Sequence, residues 1–380
     1  MLNMKFYQAQ LFDTSSRNFA FPVVIDNGLC YKALKNRCIT ILARICWYVA
    51  PTLWNAISNS TDTEEVQGFM AYQYIFGPVP SRRLGLSLGV DLMPHKTCSL
   101  DCVYCECGKT THLTLTPREY VPLAPVKQEL TSFLSARPDL DHITFSGAGE
   151  PTLHSGIGEM AAFVKTMFPR YKLALLTNGS LLYREDVRAR LLAIDVVIVS
   201  VDAATSEAFR RINRPHPGLS LTEFTAGLIA FRKVFKNSLW AEVFLVPGCN
   251  TSREELTRIR EMLQQIRPDK IQVNTLDRPG TEHWVAPLER TQLEWAASFL
   301  QSSELILPSP TRHTLEKETV DLTDRLLAAV RRRPLTAEDI SGMLDIETPE
   351  LLGRLEEMVE KKLLKRVSMQ RGVFYTADHD

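Results

Sequence analysis

The sequence predicts an α/β protein: a partial (β/α)6 barrel over residues 70–307, followed by a carboxy-terminal winged-helix domain over 308–380. Three observations predict it. From Leu84 onward, short apolar, β-branched runs alternate with amphipathic stretches, as parallel strands covered by helices require. Each run ends in polar or glycine-rich residues that a buried strand tip does not need for packing. After Pro308-Ser309-Pro310 the rhythm changes to three helical stretches and a hairpin.

Residues 1–69 show no sustained period and read as a poorly defined extension, dispensable or untranslated, because every motif follows Met70. Cys30, Cys38 and Cys46 are evenly spaced there. Eight residues turn a helix face by about 80°, so these thiols fan out and read as buried or incidental rather than as a second cluster site. The apolar stretch Cys38–Ile57 is interrupted by Arg44 and Pro51, which argues against a signal peptide or a membrane span. The expected strands are Leu84–Leu92, His142–Ser146, Lys172–Thr177, Val196–Val201, Trp240–Val246 and Lys270–Leu276. Helices are expected over Pro122–Arg137, Gly156–Met167, Tyr183–Ala193, Leu221–Phe235, Ser252–Ile266 and Pro287–Gln301. Six such repeats with right-handed crossovers form a partial or closed barrel with its reactive groups at the carboxyl ends of the strands. In the tail, Leu322–Arg332, Thr336–Leu344 and Thr348–Lys361 read as helices, and Leu363–Val367 with Val373–Ala377 as a hairpin.

Acidic and basic residues balance at 44 each, so no global attraction to nucleic acid or membrane follows. Four of the eight cysteines crowd into Cys98–Cys107, a pattern of metal ligation in a reducing cytoplasm rather than of disulfides. Cys98, Cys102 and Cys105 stand at C-x3-C-x2-C with Tyr104 before the last. Three thiolates can hold three irons of a [4Fe–4S] cube and leave the fourth open. By itself the triplet equally fits a zinc knuckle or an electron-transfer cluster. The strand ends narrow the choice: Ser146–Pro151, Thr177–Ser180, Ser200–Asp202, Pro247-Gly248 and Asn274–Asp277 would converge on one rim as a pocket for a small polar ligand.

Cys98, Cys102, Cys105 and the Gly149-Glu150-Pro151 turn resemble the cluster loop and the Gly-Gly-Glu-Pro motif of the radical S-adenosylmethionine superfamily, with Ala148 in place of the first glycine. The resemblance spans about residues 76–280. It implies a radical-SAM barrel and an enzyme whose [4Fe–4S] cluster, on Cys98, Cys102 and Cys105, binds S-adenosylmethionine at its open iron. Reductive cleavage then yields a 5′-deoxyadenosyl radical that takes hydrogen from an unidentified substrate. The same resemblance implies that Tyr104 lies near the adenine, that Gly147, Gly149 and Glu150 approach the methionine ammonium, and that Asn178, Ser200 and Asp202 meet the ribose and carboxylate, with Asn274 a weaker candidate. No catalytic side chain is assigned. Phe76–Gly85, Phe244–Gly248 and Asn274–Pro279 resemble a subgroup of iron–sulfur oxidoreductases related to the tRNA wybutosine-synthesis radical enzymes. In that subgroup reading Arg82 and Arg83 bind a phosphate or carboxylate, or else are surface charge. Cys107 reads as an accessible thiol outside the cluster, and Cys249 as buried. The implied partners are an external electron donor such as flavodoxin or ferredoxin and a small-molecule, peptide or RNA substrate, with no membrane.

The rival from another class is a metal-sensing regulator, with iron–sulfur or zinc at the triplet and a winged helix as output. Residues 321–380 carry twelve acidic and ten basic side chains, and the third tail helix presents Glu350, Glu356, Glu357 and Glu360. Phosphate binding needs the reverse. A basic group remains at Lys361, Lys362, Lys365, Arg366 and Arg371. Docking is therefore favoured over nucleic acid for the tail.

Overall fold

The computed structural model describes residues 20–25, 28–33, 72–306, 323, 326–327, 330, 333–344 and 346–377. The chain divides into two compact units, Met1–Gly68 and Phe69–Asp380. In the first, Ala20–Ile25 and Gly28–Ala33 pair as an antiparallel hairpin with Val23 opposite Cys30. The sequence reading has no strand here. Cys38 and Cys46 lie outside the described residues.

The second unit is built on one eight-stranded sheet. Its strands are β1 (Ile75–Ser81), β2 (Gly85–Val90), β3 (His142–Phe145), β4 (Lys172–Thr177), β5 (Val196–Ser200), β6 (Ser238–Leu245), β7 (Lys270–Thr275) and β8 (Glu304–Leu305). They lie in chain order across the sheet, which is open between β1 and β8. Every neighbouring pair is parallel except β1 with β2. The six expected runs are β2 to β7. The sequence reading does not include β1 or β8 as strands. Prolines interrupt β1, and β8 has two residues, so neither shows a period.

Helices α1 (Leu123–Leu134), α2 (Ile157–Met167), α3 (Glu185–Arg190), α4 (Ser206–Ile212), α5 (Leu221–Val234), α6 (Arg253–Ile266) and α7 (Arg290–Phe299) connect the strands. Capping sets their starts: Ser220 and Glu223 form a reciprocal capping box at α5, and Ser252 caps α6. The short α4 is absent from the sequence reading. Strand residues alternate between two faces. Leu88, Ile143, Phe145, Leu173, Val197, Leu239 and Val243 pack with helix residues such as Val126, Met160, Leu228 and Ile259 in the main core. The opposite face begins with a small apolar group, Leu84, Ala174, Val196 and Ile198. Toward the carboxyl ends of its strands this inner face turns polar, through Thr144, Ser200, Glu242 and Asn274. That change of character is where the site begins.

In the carboxy-terminal segment, residues 323, 326, 327 and 330 are helical. β9 (Leu335–Thr336), α8 (Ala337–Leu344), α9 (Thr348–Glu360), β10 (Leu364–Met369) and β11 (Gly372–Ala377) follow, and the three strands form an antiparallel sheet in the order β9-β11-β10. Ile340, Leu351, Leu355, Leu364 and Tyr375 form a separate core, against which Val79 of β1 packs. Among the described residues, no helix is long and apolar enough to cross a membrane.

Candidate active site at the strand ends

The loop after β2 carries the cysteine triplet, and the loop after β3 carries the Gly147–Pro151 turn. Main-chain hydrogen bonds fasten the two together. Lys96 N–H donates to the Ala148 carbonyl at 2.9 Å, and Glu150 N–H donates to the Thr97 carbonyl at 3.1 Å. The contact is close enough to dictate glycine at 149, where a Cβ would press on Met93 Cβ at 2.8 Å and still nearer the Thr97 carbonyl oxygen. At Gly147 φ is +149°, and a Cβ would collide with the Asp91 carboxylate. Asp91 also accepts from the N–H of Ala148 at 3.1 Å.

Glu150 is buried, and both carboxylate oxygens are taken. Oε1 accepts from Thr152 N–H (3.0 Å), Thr152 Oγ1 (2.6 Å) and Thr177 Oγ1 (2.6 Å), and Oε2 accepts from Asn178 N–H (2.8 Å). The side chain thereby ties the turn to the tip of β4. Burial pushes its carboxyl up, against the pull of these donated hydrogen bonds. Asn178, so held, sends Nδ2 to Ser99 Oγ at 3.0 Å and to Cys98 Sγ at 3.5 Å.

A second network holds the other side of the loop. Tyr104 stacks on Phe244 of β6, with ring centroids 3.9 Å apart and planes 12° from parallel. Its hydroxyl donates to Asp202 Oδ2 at 2.5 Å. Asp202 also accepts from Asn213 Nδ2 at 2.8 Å and Phe244 N–H at 2.9 Å. Burial pushes its carboxyl up. Asn213, at the end of α4, also reaches Cys102 Sγ at 3.5 Å. Ser200 is half-buried at the end of β5, and Asn274 donates to Glu242 Oε1 at 3.1 Å. The loop after β7 crosses behind the cysteines. Thr281 Oγ1 donates to the Cys105 carbonyl at 3.1 Å, and a Cβ on Gly280 would lie 3.0 Å from the Tyr104 main chain.

Lys96 Nζ stands 3.0 Å from Cys105 Sγ. Burial alone would lower the ammonium, but the Cys105 sulfur raises it above its ordinary range. Cys105 is itself held down at about 5, first by a hydrogen bond from Cys107 and then by Lys96. Burial pushes Cys98 up to about 12, and Cys102 upward also. A metal binds the thiolate, so a cationic centre held here would have to remove the protons of Cys98 and Cys102 against this effect of burial. Among the described residues no three Cys, His, Asp or Glu side chains are gathered as around a single metal ion. A cube spreads its thiolates over separate irons, so soft donors on one loop fit a cluster better than a lone zinc. Cys107 Sγ lies 3.7 Å from the Gly147 carbonyl oxygen. Cys249 sits half-buried in the turn after β6.

Sequence reasoning passed over Lys96 and Asn213, and took Phe244 only as part of the Phe244–Gly248 resemblance, without its stacking on Tyr104. Only Lys96, beside the triplet, carried a signal. Arg82 and Arg83 are not surface charge: Arg83 pairs with Glu242 on the inner face, and Arg82 faces Asp277 at 3.6 Å. The basic group expected on the tail is divided. Lys361 pairs with Glu357, Arg366 with Glu356, and Arg371 turns inward to Asp339.

A largely parallel sheet with a fastened cysteine loop and Gly-Glu-Pro turn at its strand ends defines a class of cluster enzyme. The profile of the radical SAM superfamily matches residues 92–290, and the chain belongs to that superfamily. It is therefore an enzyme, with a [4Fe–4S] cluster and S-adenosylmethionine as cofactors. A "UPF0026 protein" of Helicobacter pylori strain J99 is 32% identical over 306 residues, 80% of this chain and 97% of that one. A Brachyspira hyodysenteriae protein named "GTPase Obg" is 33% identical over 290 residues, 76% of this chain but 42% of the relative's own length. The nearest thing here to a nucleotide phosphate loop, Gly108-Lys109-Thr110, has Val103 where that loop needs its first glycine. Among solved structures, a radical SAM methyltransferase from Sphaerobacter thermophilus superposes with a TM-score of 0.44 at 15% identity, over 57% of this chain and 63% of that one.

Proposed function

We propose that the protein reductively cleaves S-adenosylmethionine and takes hydrogen from a substrate held on the inner face of the sheet, with Cys98, Cys102 and Cys105 as the cluster ligands. The observation that carries this reading is the main-chain fastening of the cysteine loop to the Gly147–Pro151 turn, with Asn178 reaching Cys98. When bound, the reduced cluster supplies the electron that splits the carbon–sulfur bond, and the 5′-deoxyadenosyl fragment accepts hydrogen from substrate. The chain's own part is to bind, orient and exclude water. Gly147 and Gly149 let the turn approach the methionine ammonium. The main chain at Tyr104 faces the adenine. Ser200 meets ribose or carboxylate, and Asn178 and Asn274 do so by exchanging side-chain contacts they make within the chain, Asn178 with Ser99, Cys98 and Ser180 N–H and Asn274 with Glu242. Glu150 and Asp202, whose oxygens already hold protein donors, act by positioning Asn178 and Tyr104. Cys107 stays outside the cluster and leaves one iron for the cofactor.

In the same reading residues 70–307 are the catalytic core and 308–380 a winged helix, since α8, α9 and the β10–β11 hairpin follow that order. Residues 1–69 are an extension. Of the basic groups on the tail, Lys361 and Arg366 are paired with glutamates and Arg371 with Asp339, which supports docking over nucleic-acid binding. A flavodoxin- or ferredoxin-like donor supplies electrons in the cytoplasm, and shared ancestry with the tRNA wybutosine-synthesis enzymes rests on Phe76–Gly85 and Asn274–Pro279.

The test is anaerobic reconstitution, reduction, and chromatographic assay of 5′-deoxyadenosine. Wild-type protein should produce it from S-adenosylmethionine, and Cys98→Ala, Cys102→Ala and Cys105→Ala should each abolish it. Undiminished cleavage in any of the three would refute the assignment.

A further inference from the structure

Behind the cysteine loop lies a buried ionic cluster that the proposed chemistry does not use. Asp277 and Arg278 follow β7, Arg82 and Arg83 come from the turn between β1 and β2, and Arg333, Asp339 and Arg371 come from the carboxy-terminal segment. Arg278 stands 3.5 Å from Glu106, the residue after Cys105. Its other carboxylates, Asp277 and Asp339, are each 3.8 Å away. Arg82 and Arg371 face Asp277 at 3.6 and 3.4 Å. These are ion-pair separations too long for good hydrogen bonds.

The orphaned atoms say the same. Arg82 Nη1, Arg278 Nε, Arg371 Nε and both Asp277 carboxylate oxygens are buried with no hydrogen-bond partner, although Arg278 is 8% and Asp277 7% exposed. A guanidinium is a rigid fork built for bidentate oxygen acceptors. Arg371 does close on a carboxylate, its two Nη atoms 3.1 and 2.5 Å from Asp339, and Arg83 pairs with Glu242, but Arg82 and Arg278 have only the longer contacts. Five arginines (82, 83, 278, 333 and 371) stand together here with Glu106, Glu242, Asp277, Asp339 and Glu304, and positive charge so concentrated favours an anion. Burial and neighbouring arginines hold Arg83 and Arg333 down at about 10. A cavity of about 620 Å³ adjoins this group; Asp277 and Arg371 line it with Leu276, Leu288, Leu293 and Met369, and Arg82 and Arg278 stand behind Asp277. That volume suits a small molecule, within the ~300–1,000 Å³ of ordinary ligand pockets.

We propose that the substrate is a small molecule bearing a carboxylate or phosphate, that Arg82 and Arg278 bind this group beside the cysteine loop, and that Arg371 of the carboxy-terminal hairpin closes the site. The proposal rests on the radical-enzyme reading, because it places the anion next to the reactive loop. The carboxy-terminal segment is then part of the substrate site.

The test uses full-length, cluster-reconstituted protein under anaerobic conditions. Inorganic phosphate and acetate are titrated separately by calorimetry, with and without saturating S-adenosylmethionine. One of the two anions should bind at a single saturable site per chain, which identifies the class. Arg82→Gln should weaken that binding about 10–100-fold, as loss of a charged hydrogen bond does, and Arg82→Lys should fall between. Arg184→Gln, at an exposed ion pair, should leave it unchanged. A thermal midpoint measured without anion separates lost binding from lost folding, and Arg82→Lys carries the test if Arg82→Gln does not fold. The proposal is overturned if neither anion saturates, if a folded Arg82→Gln binds as wild type does, or if S-adenosylmethionine abolishes binding, which would give the arginines to the cofactor's own carboxylate. Cleavage of S-adenosylmethionine without anion binding defeats this inference alone. Anion binding without cleavage defeats the radical reading instead.

Discussion

Glu150 is the best place to measure what the site costs to build. Its carboxylate accepts from a buried main-chain N–H, Thr152, from the half-buried N–H of Asn178, and from two threonine hydroxyls. Glu150→Ala removes all four acceptor contacts. The hydroxyls can rotate to other partners, but the two N–H groups cannot, and an orphan left buried costs about 1–3 kcal/mol. Relief from burying a carboxylate offsets part of this, leaving a loss of about 2–4 kcal/mol. Glu150→Gln keeps an oxygen at the three-donor position. It sets an NH2 against the Asn178 N–H, one donor–donor conflict of about 1–3 kcal/mol. Urea unfolding of the apoprotein, with the midpoint shift multiplied by the slope, gives both values. Glu150→Ala should be the more damaging for stability, and both variants should lose 5′-deoxyadenosine formation, because Asn178 moves. Glu150→Gln as damaging as Glu150→Ala, or both within about 0.5 kcal/mol of wild type, would refute the account. There is also a pH signature. The folded carboxyl lies above its ordinary value of 4.5, so the folded state binds the proton more tightly than the unfolded state does. Its contribution is full below that ordinary value and is lost as pH rises through the folded one. Glu150→Gln should remove this part of the pH dependence.

Two further outcomes follow from the loop. Cys107→Ser should retain a full cluster by iron analysis and retain cleavage of S-adenosylmethionine; loss of one iron equivalent would show that Cys107 is a ligand. Gly149→Ala drives a Cβ onto Met93 and the Thr97 carbonyl, an overpacking cost of about 1–3 kcal/mol. Its thermal midpoint should fall by several degrees, and an unchanged midpoint would mean that the two loops are not in contact.

Much of this enzyme is legible along the chain. The runs of Val, Ile and Leu that became β2 to β7 are buried against helices on one face and, near their amino ends, against a small apolar group on the other, so their apolar character is nearly continuous and their number could be counted. The cysteine triplet and the Gly-Glu-Pro turn are local, with chemistry and spacing in a few adjacent residues. Other features have no local signal. β1 and β8 are strands because a neighbour offers hydrogen bonds, and their own sequences, one broken by prolines and one two residues long, do not announce it. Asn213 and Phe244 lie more than a hundred residues from the cysteines and reach them only through α4 and β6. Arg82 and Arg83 read along the chain as surface charge or anion ligands, and only the fold excludes the first, by setting Arg83 on Glu242 and Arg82 against Asp277. The sequence by itself determined which groups are available for the chemistry, because soft thiolates and a tight glycine turn are properties of short segments. Tertiary structure alone decided which carboxylates are already spent on protein donors and which arginines remain open, because that depends on burial and distance between segments far apart in the chain.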